Sequence, residues 1–262
     1  MNENFRILVI GDVVGSPGCR ALFMGLPVLV KRSRADLVIA NGENAADGLG
    51  LTPEIAGSLF KSGVEVITSG NHIWQKREIL DLLETDGRIL RPENYPLGVP
   101  GKGQLVLSRR EVSVAVINLQ GLQHLPSIRC PFAVGAELAR KLRARAKVII
   151  VDFHAESPEE KEALALHLDG TVSAVLGTHT HVQTADERIL PGGTAYIGDV
   201  GMTGPKLGVI GMKREISIRR SLTQIPIKME VENSDGAIMG VLVEVNPADG
   251  KALSIQRIAQ DA

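Results

Sequence analysis

Five short apolar runs in this chain each stop at residues that bind metals or protons. Residues 5–10 lead to Gly11-Asp12, 35–40 to Asn41-Gly42-Glu43-Asn44, and 64–68 to Ser69-Gly70-Asn71-His72. Residues 148–151 lead to Asp152-Phe153-His154, and 172–176 to Gly177-Thr178-His179-Thr180-His181. Runs this short, rich in Val, Ile and Leu, read as strands covered on both faces. Helical stretches separate them, so the pattern is βαβ and the strands are parallel. In open sheets of this kind ligands bind beyond the carboxyl ends of the strands. One acidic strand end is ordinary, because Asp in a βα turn caps the next helix. Five ends that together present carboxylates, amide oxygens and imidazoles point to a metal centre.

The last of the five is the densest. In extended backbone, residues i and i+2 point to the same side. His179 and His181 are therefore expected to project together, about 6–7 Å apart at the backbone. That spacing offers one ligand to each of two metals held roughly 3.5–4 Å apart. Taken alone, His-x-His fits two surface histidines beside a turn equally well; the other strand ends weigh for the metal.

The remaining stretches are punctuated by turn and cap signals. Gly15-Ser16-Pro17-Gly18 opens a helix to about Val30, with a bend expected at Pro27. Thr52-Pro53 opens a second helix that Gly63 closes. A short helix is expected over 75–83, loop over 91–103, and a hairpin from 104–107 and 112–118. Residues 120–132 read as irregular, a lid or a subunit contact. A basic helix follows over 135–145. Ser157-Pro158-Glu159-Glu160 reads as a capping box, starting a helix to about Leu168. Beyond His181 the pattern turns to strands, at 194–197, 224–232, 237–245 and 253–258. The expected architecture is α/β: two mixed sheets packed together with helices outside, a four-layer sandwich, with 1–262 as one domain.

Composition excludes several classes. The 262 residues are 44% hydrophobic, enough for one large core. Lys plus Arg total 29 against 30 for Asp plus Glu, a net charge of -1, so neither a nucleic-acid nor a membrane surface is expected. Aromatics are only 3%, too few for a base-stacking platform. No signal peptide or bilayer-spanning run is visible. The two cysteines, Cys19 and Cys130, form no disulfide framework and read as thiols of a reducing cytoplasm.

The ordered set Gly11-Asp12, Glu43-Asn44, Gly70-Asn71-His72, His154 and Gly177-Thr178-His179-Thr180-His181 resembles the calcineurin-like metallophosphoesterases. The closer resemblance is to their YmdB-like group, in the strings Asn41-Gly42-Glu43-Asn44, Ser69-Gly70-Asn71-His72-Ile73-Trp74, Phe153-His154-Ala155-Glu156 and 198–205. Val14 stands where the wider superfamily carries a first-strand histidine, and Glu43 where it carries a bridging Asp; both departures match the YmdB-like group. The resemblance implies a 2′,3′-cyclic-nucleotide 2′-phosphodiesterase. Asp12, Glu43, Asn44 and His181 would hold one metal and Glu43, Asn71, His154 and His179 the other, with Glu43 bridging. The ions would be divalent or trivalent, iron by the family's habit, with manganese or zinc compatible with the donor set. Hydroxide held by the metals would attack phosphorus in line with the departing ribose oxygen. His72 adjoins a ligand without being one, which makes it either the general acid for the leaving oxygen or a residue that only orients a ligand. The expected partner is a small phosphodiester, and a homo-oligomer is open, with 120–132 the place for its contact. A phosphatase or nuclease using the same metals, or an RNA-associated scaffold with a structural metal site, are the other readings.

Other features weigh less. Gly11, Gly15 and Gly18 resemble a phosphate loop but lack the lysine and spacing of one. Thr203-Gly204-Pro205 reads as a turn or a pocket wall. His124 and His167 have no partner motif, and Arg109, Arg110, Arg140, Lys141, Arg143 and Arg145 read as solvated faces.

Overall fold

The computed structural model describes residues 4–262. β1 (Phe5–Ile10) runs into the short β2 (Asp12–Val13), followed by α1 (Gly15–Ser33), β3 (Leu37–Asn41), α2 (Pro53–Lys61) and β4 (Val66–Thr68). Two 3-10 turns, Ile73–Gln75 and Arg77–Ile79, lead to α3 (Leu80–Thr85). Then come β5 (Gln104–Arg109), β6 (Val112–Gln120), α4 (Pro131–Arg143), β7 (Val148–His154), α5 (Pro158–Leu168) and β8 (Ala174–Thr178). β9 (Arg188–Ile189), β10 (Ala195–Ile197), β11 (Met202–Pro205), α6 (Arg214–Thr223), β12 (Gly236–Val245) and β13 (Ala252–Asp261) complete the chain.

Two mixed sheets form, as expected. The first runs β2-β11-β12-β1-β3-β4, with β13 beside β12; the second runs β5-β6-β7-β8-β10-β9. β1, β3 and β4 are mutually parallel, as are β6, β7, β8 and β10. The alternation of β1 shows why its run is apolar throughout. Phe5, Ile7 and Val9 face Val116, Ile150 and Leu176 of the second sheet, while Leu8 and Ile10 pack under Leu22 and Leu26 of α1. The outer face of the second sheet, with Ile149, Val151 and Phe153, is covered by Leu138 of α4 and Leu164 of α5. The layers are therefore helices, sheet, sheet, helices, with an apolar cluster at each interface.

Local signals act as the sequence requires. Thr52 Oγ1 accepts from Ile55 N at 3.2 Å, Pro53 sits in the first turn, and Gly63 follows the helix at φ +108°. The β5–β6 hairpin closes through Arg110 and Glu111, at φ 46° and 66°, so its loop is a two-residue turn with both residues left-handed. α1 continues through the exposed Pro27 to end at Ser33, three residues beyond the expected stop at Val30, with Arg34 as its left-handed cap.

Several expectations are corrected. Residues 224–230 form no strand; only a single bridge joins Val231 to Met212. Their alternating Ile225, Ile227 and Met229 mimic a half-buried strand, but no neighbour offers them a ladder. The preceding α6 was invisible because no residue of it is buried, so its sequence has no apolar face to read. The helix over 75–83 resolves into two 3-10 turns and α3. Thr203-Gly204-Pro205 is strand, not turn, with Thr203 paired to Val13. Only half of the capping box forms. Ser157 Oγ accepts from Glu160 N at 3.3 Å, but the Glu160 carboxylate turns away to accept from Leu122 N at 2.8 Å and Gln123 N at 3.3 Å. The loop after β6 brings unpaired amides that capture it. Cys19 and Cys130 are both free thiols.

Candidate metal centre

The parallel strands of both sheets end on the same side, and the seven candidate ligands meet there. Asp12 follows β1, Glu43 and Asn44 follow β3, Asn71 follows β4, His154 ends β7, and His179 and His181 follow β8. Asp12, Glu43 and His154 are fully buried. Glu43, His154 and His179 bring donor atoms within 4.8 Å of one another, a group that could hold a metal ion. Glu43 Oε1 lies 2.9 Å from His154 Nε2, and Asn71 Oδ1 is 3.2 Å from the same nitrogen. His181 Nε2 lies 4.0 Å from Asp12 Oδ1 and 3.0 Å from Asn44 Nδ2.

The histidine pair is not built as expected. His179 and His181 adopt φ 108° and 64°, so the backbone there is left-handed rather than extended. The two rings reach the centre because the chain twists at each, not because of strand alternation.

The ring tautomers follow from the groups behind them. Thr178 Oγ1 donates to Asp152 Oδ1 at 2.8 Å, so it has only lone pairs left for His154 Nδ1 at 2.9 Å. Nδ1 of His154 therefore carries a proton and Nε2 faces the centre. Ile210 O, an acceptor only, takes the Nδ1 proton of His181 at 3.0 Å, which turns its Nε2 inward. Glu156 Oε2 lies 3.0 Å from His179 Nε2, leaving Nδ1 inward. His154 Nε2 and His179 Nδ1 then meet at 2.9 Å, two nitrogens that need a proton or a cation between them.

The carboxylates make the same demand. Asp12 Oδ1 and Glu43 Oε1 are buried without a well-formed hydrogen bond, and Glu43 Oε1 has only an ion-pair contact with His154 Nε2 at 2.9 Å to offset it at close range. Their other oxygens are held by backbone amides, Asp12 Oδ2 by His179 N at 3.1 Å and Glu43 Oε2 by His72 N at 3.0 Å. Burial pushes the Asp12 carboxyl up to about 6, with His181 and His154 opposing. Burial would also raise Glu43, but the His154 and His72 rings hold it down to about 2. Burial would lower His154; the Glu43 and Asp12 carboxylates instead lift it to about 9. Burial and the neighbouring His154 charge drive His179 down to about 3. Orphaned anionic oxygens facing committed imidazoles fit a cation better than any arrangement of the chain alone.

His72 stands at the edge of this cluster. Its Nδ1 is 2.9 Å from Asn44 Oδ1 and 3.5 Å from Glu43 Oε1, and burial pushes it below the ordinary histidine value. The contact with Asn44 Oδ1 makes Nδ1 the donor and leaves Nε2 available. His124 is exposed with a left-handed backbone, and the His167 ring lies 5.7 Å from that of Phe132, tilted by 55°. Neither joins the centre.

Sequence reading passed over the residues behind the ligands. Asp152 accepts from Thr178, from Thr68, and from Asn41 Nδ2 at 3.4 Å. Its signal was an acid inside the apolar strand of β7, two residues before His154. Glu156 had no signal of its own beyond its nearness to His154.

The family model described as YmdB-like protein matches residues 8–258. A 2′,3′-cyclic-nucleotide 2′-phosphodiesterase of Bacillus subtilis is 48% identical over 97% of this chain and 96% of its own length. A crystal structure described as a novel phosphatase of Mycoplasma pneumoniae superposes with a TM-score of 0.94 at 35% identity, covering 100% of this chain and 95% of that one. The NAD nucleotidase of Haemophilus influenzae shares the fold at a TM-score of 0.63 and 15% identity, covering 99% of this chain and 56% of that one.

Proposed function

Because the chain belongs to the YmdB-like family, we propose that it is a metal-dependent phosphodiesterase that hydrolyses 2′,3′-cyclic nucleotides to 3′-nucleotides. The observation that carries this reading is the pair of buried oxygens without hydrogen bonds, Asp12 Oδ1 and Glu43 Oε1, set against three inward-facing imidazole nitrogens. Asp12, Glu43, Asn44 and His181 would hold one ion, and Glu43, Asn71, His154 and His179 a second. Glu43 suits the shared position, since bridging needs two oxygens and a charge. Iron is the proposed metal, and manganese or zinc suits the same mixed nitrogen and oxygen donors. When bound, such a pair acidifies water to give a nucleophile at neutral pH and offsets charge on the phosphate.

The chain's own groups do the rest. Asp152 and Thr178 fix the ring of His154, Glu156 fixes that of His179, and the Ile210 carbonyl fixes that of His181. His72, with its side chain 27% exposed, is the group able to meet substrate; its Nε2 would take up a proton from solvent, as the cation, and pass it to the departing 2′ oxygen. Residues 1–262 would work as one unit, because the ligands come from both sheets.

Iron- or manganese-loaded protein given 2′,3′-cyclic AMP is expected to release 3′-AMP, separated chromatographically from 2′-AMP and adenosine. Release of 2′-AMP would mean that the other ester bond is cut, and adenosine a phosphatase. An intact cyclic nucleotide beside metal-loaded protein would remove the substrate claim.

A further inference from the structure

Lys161 and Asp199 form a buried ion pair beneath the metal centre that none of the chemistry above uses. Nζ of Lys161, on α5, lies 2.9 Å from Asp199 Oδ2, with the two side chains 3% and 1% exposed. The same Oδ2 accepts from Thr180 N at 3.0 Å and from Thr180 Oγ1 at 2.9 Å. Thr180 is the residue between His179 and His181, the two that hold left-handed backbone. Outside tight turns and helix ends non-glycine residues adopt that region uncommonly, so two of them flanking one residue call for a contact that holds them. Two bonds from one carboxylate to Thr180 are such a constraint. The backbone of Asp199 grips the far end of the loop, its N–H donating to Thr184 Oγ1 at 2.9 Å and its carbonyl accepting from Thr184 N at 3.1 Å.

The other carboxylate oxygen points toward the first sheet. Oδ1 accepts from Gly201 N at 2.9 Å, and the Gly201 carbonyl in turn accepts from Asp12 N at 3.1 Å. The approach is tight: a Cβ on Gly11 would lie 1.9 Å from Gly201 O. Gly177 gives the lysine its path, since a Cβ there would lie 3.0 Å from Lys161 Cδ and 1.8 Å from Gly198 O. One carboxylate thus reaches candidate ligands on both sheets. Without a countercharge, a carboxylate this deep would be strongly disfavoured, and Lys161 supplies it.

We infer that Lys161 and Asp199 are positioning residues for the metal centre: the pair holds His179 and His181 in their left-handed geometry and ties them to Asp12. This rests on the reading of those three residues as metal ligands. Loss of the clamp lets the loop relax toward ordinary backbone, carrying both rings away from the carboxylates.

The test is manganese titration of metal-free protein, with the melting temperature of the metal-free form measured beside it. Asp199→Asn is expected to weaken manganese binding by about 10–100-fold, the usual effect of removing a group that orients a ligand. Lys161→Met should weaken it in the same direction. Thr180→Val removes only the hydroxyl bond at a half-buried site and keeps the test open if Asp199→Asn does not fold. Leu164→Ala, a core truncation on the same helix as Lys161, gives a destabilised chain with the clamp intact. It should keep manganese affinity despite a lower melting temperature. Wild-type affinity in folded Asp199→Asn or in Thr180→Val overturns the inference, as does an affinity loss that Leu164→Ala shares in proportion to its destabilisation. His179→Ala separates the two levels. If it keeps full affinity, the ligand assignment itself fails; if it loses metal while the clamp variants do not, only the positioning role fails.

Discussion

Each imidazole of the centre has one nitrogen committed to the protein, and the commitments decide what the free chain must do with its protons. His154, raised to about 9 by Glu43 and Asp12 against the effect of burial, carries a second proton at neutral pH. Asp12, raised by burial to about 6, is partly protonated just below neutrality. Both groups must lose these protons before they can bind a cation, so metal uptake releases protons and tightens as pH rises from about 6 toward 9. Calorimetric titration in two buffers of different ionisation enthalpy at pH 7 should give different apparent heats; equal heats would mean that no proton is displaced. At His72 the outcome separates catalysis from support. His72→Ala should keep its metal content and lose about 10²–10⁴-fold in turnover, most severely on substrates with poor leaving groups. Loss of metal from that variant would make His72 a supporting residue.

At the scale of elements, the glycines before the ligands set how closely loops approach. A Cβ on Gly70 would lie 2.1 Å from His154 Cδ2 and 2.3 Å from its Nε2, so the β4 loop can pass under that ring only without a side chain. Gly70→Ala should displace His154, costing about 1–3 kcal/mol of stability as overpacking and weakening metal binding, read by thermal melting and metal titration. A variant with wild-type melting and wild-type affinity would show that the ring has room. The strand ends of the centre were legible because each combines an apolar run with a break and a ligand. The left-handed twist at His179 and His181 was not, since it depends on Asp199, which lies 18 residues beyond His181. Asp152 was half legible: an acid in an apolar strand announces a buried partner without naming Thr68, Thr178 or Asn41. α6 and the stretch after it escaped because pattern reports burial, and there is almost none there to report.

At the scale of the molecule, the two sheets bury a shared apolar layer and finish side by side, so the centre sits at the seam between them. Asp12, Glu43, Asn44 and Asn71 come from the first sheet and its loops, and His154, His179 and His181 from the second. No helix of the described residues is long and apolar enough to cross a membrane. On the proposed reading, a site assembled from both halves, with two buried carboxylate oxygens lacking hydrogen bonds, would hold two cations and would be complete only when both are bound. The most direct measurement is turnover of 2′,3′-cyclic AMP against metal bound per chain, as metal-free protein is titrated with manganese or iron under anaerobic conditions. A dinuclear centre predicts little activity up to one equivalent and a plateau near two. Full activity in metal-free protein, or a plateau at one equivalent, would contradict it.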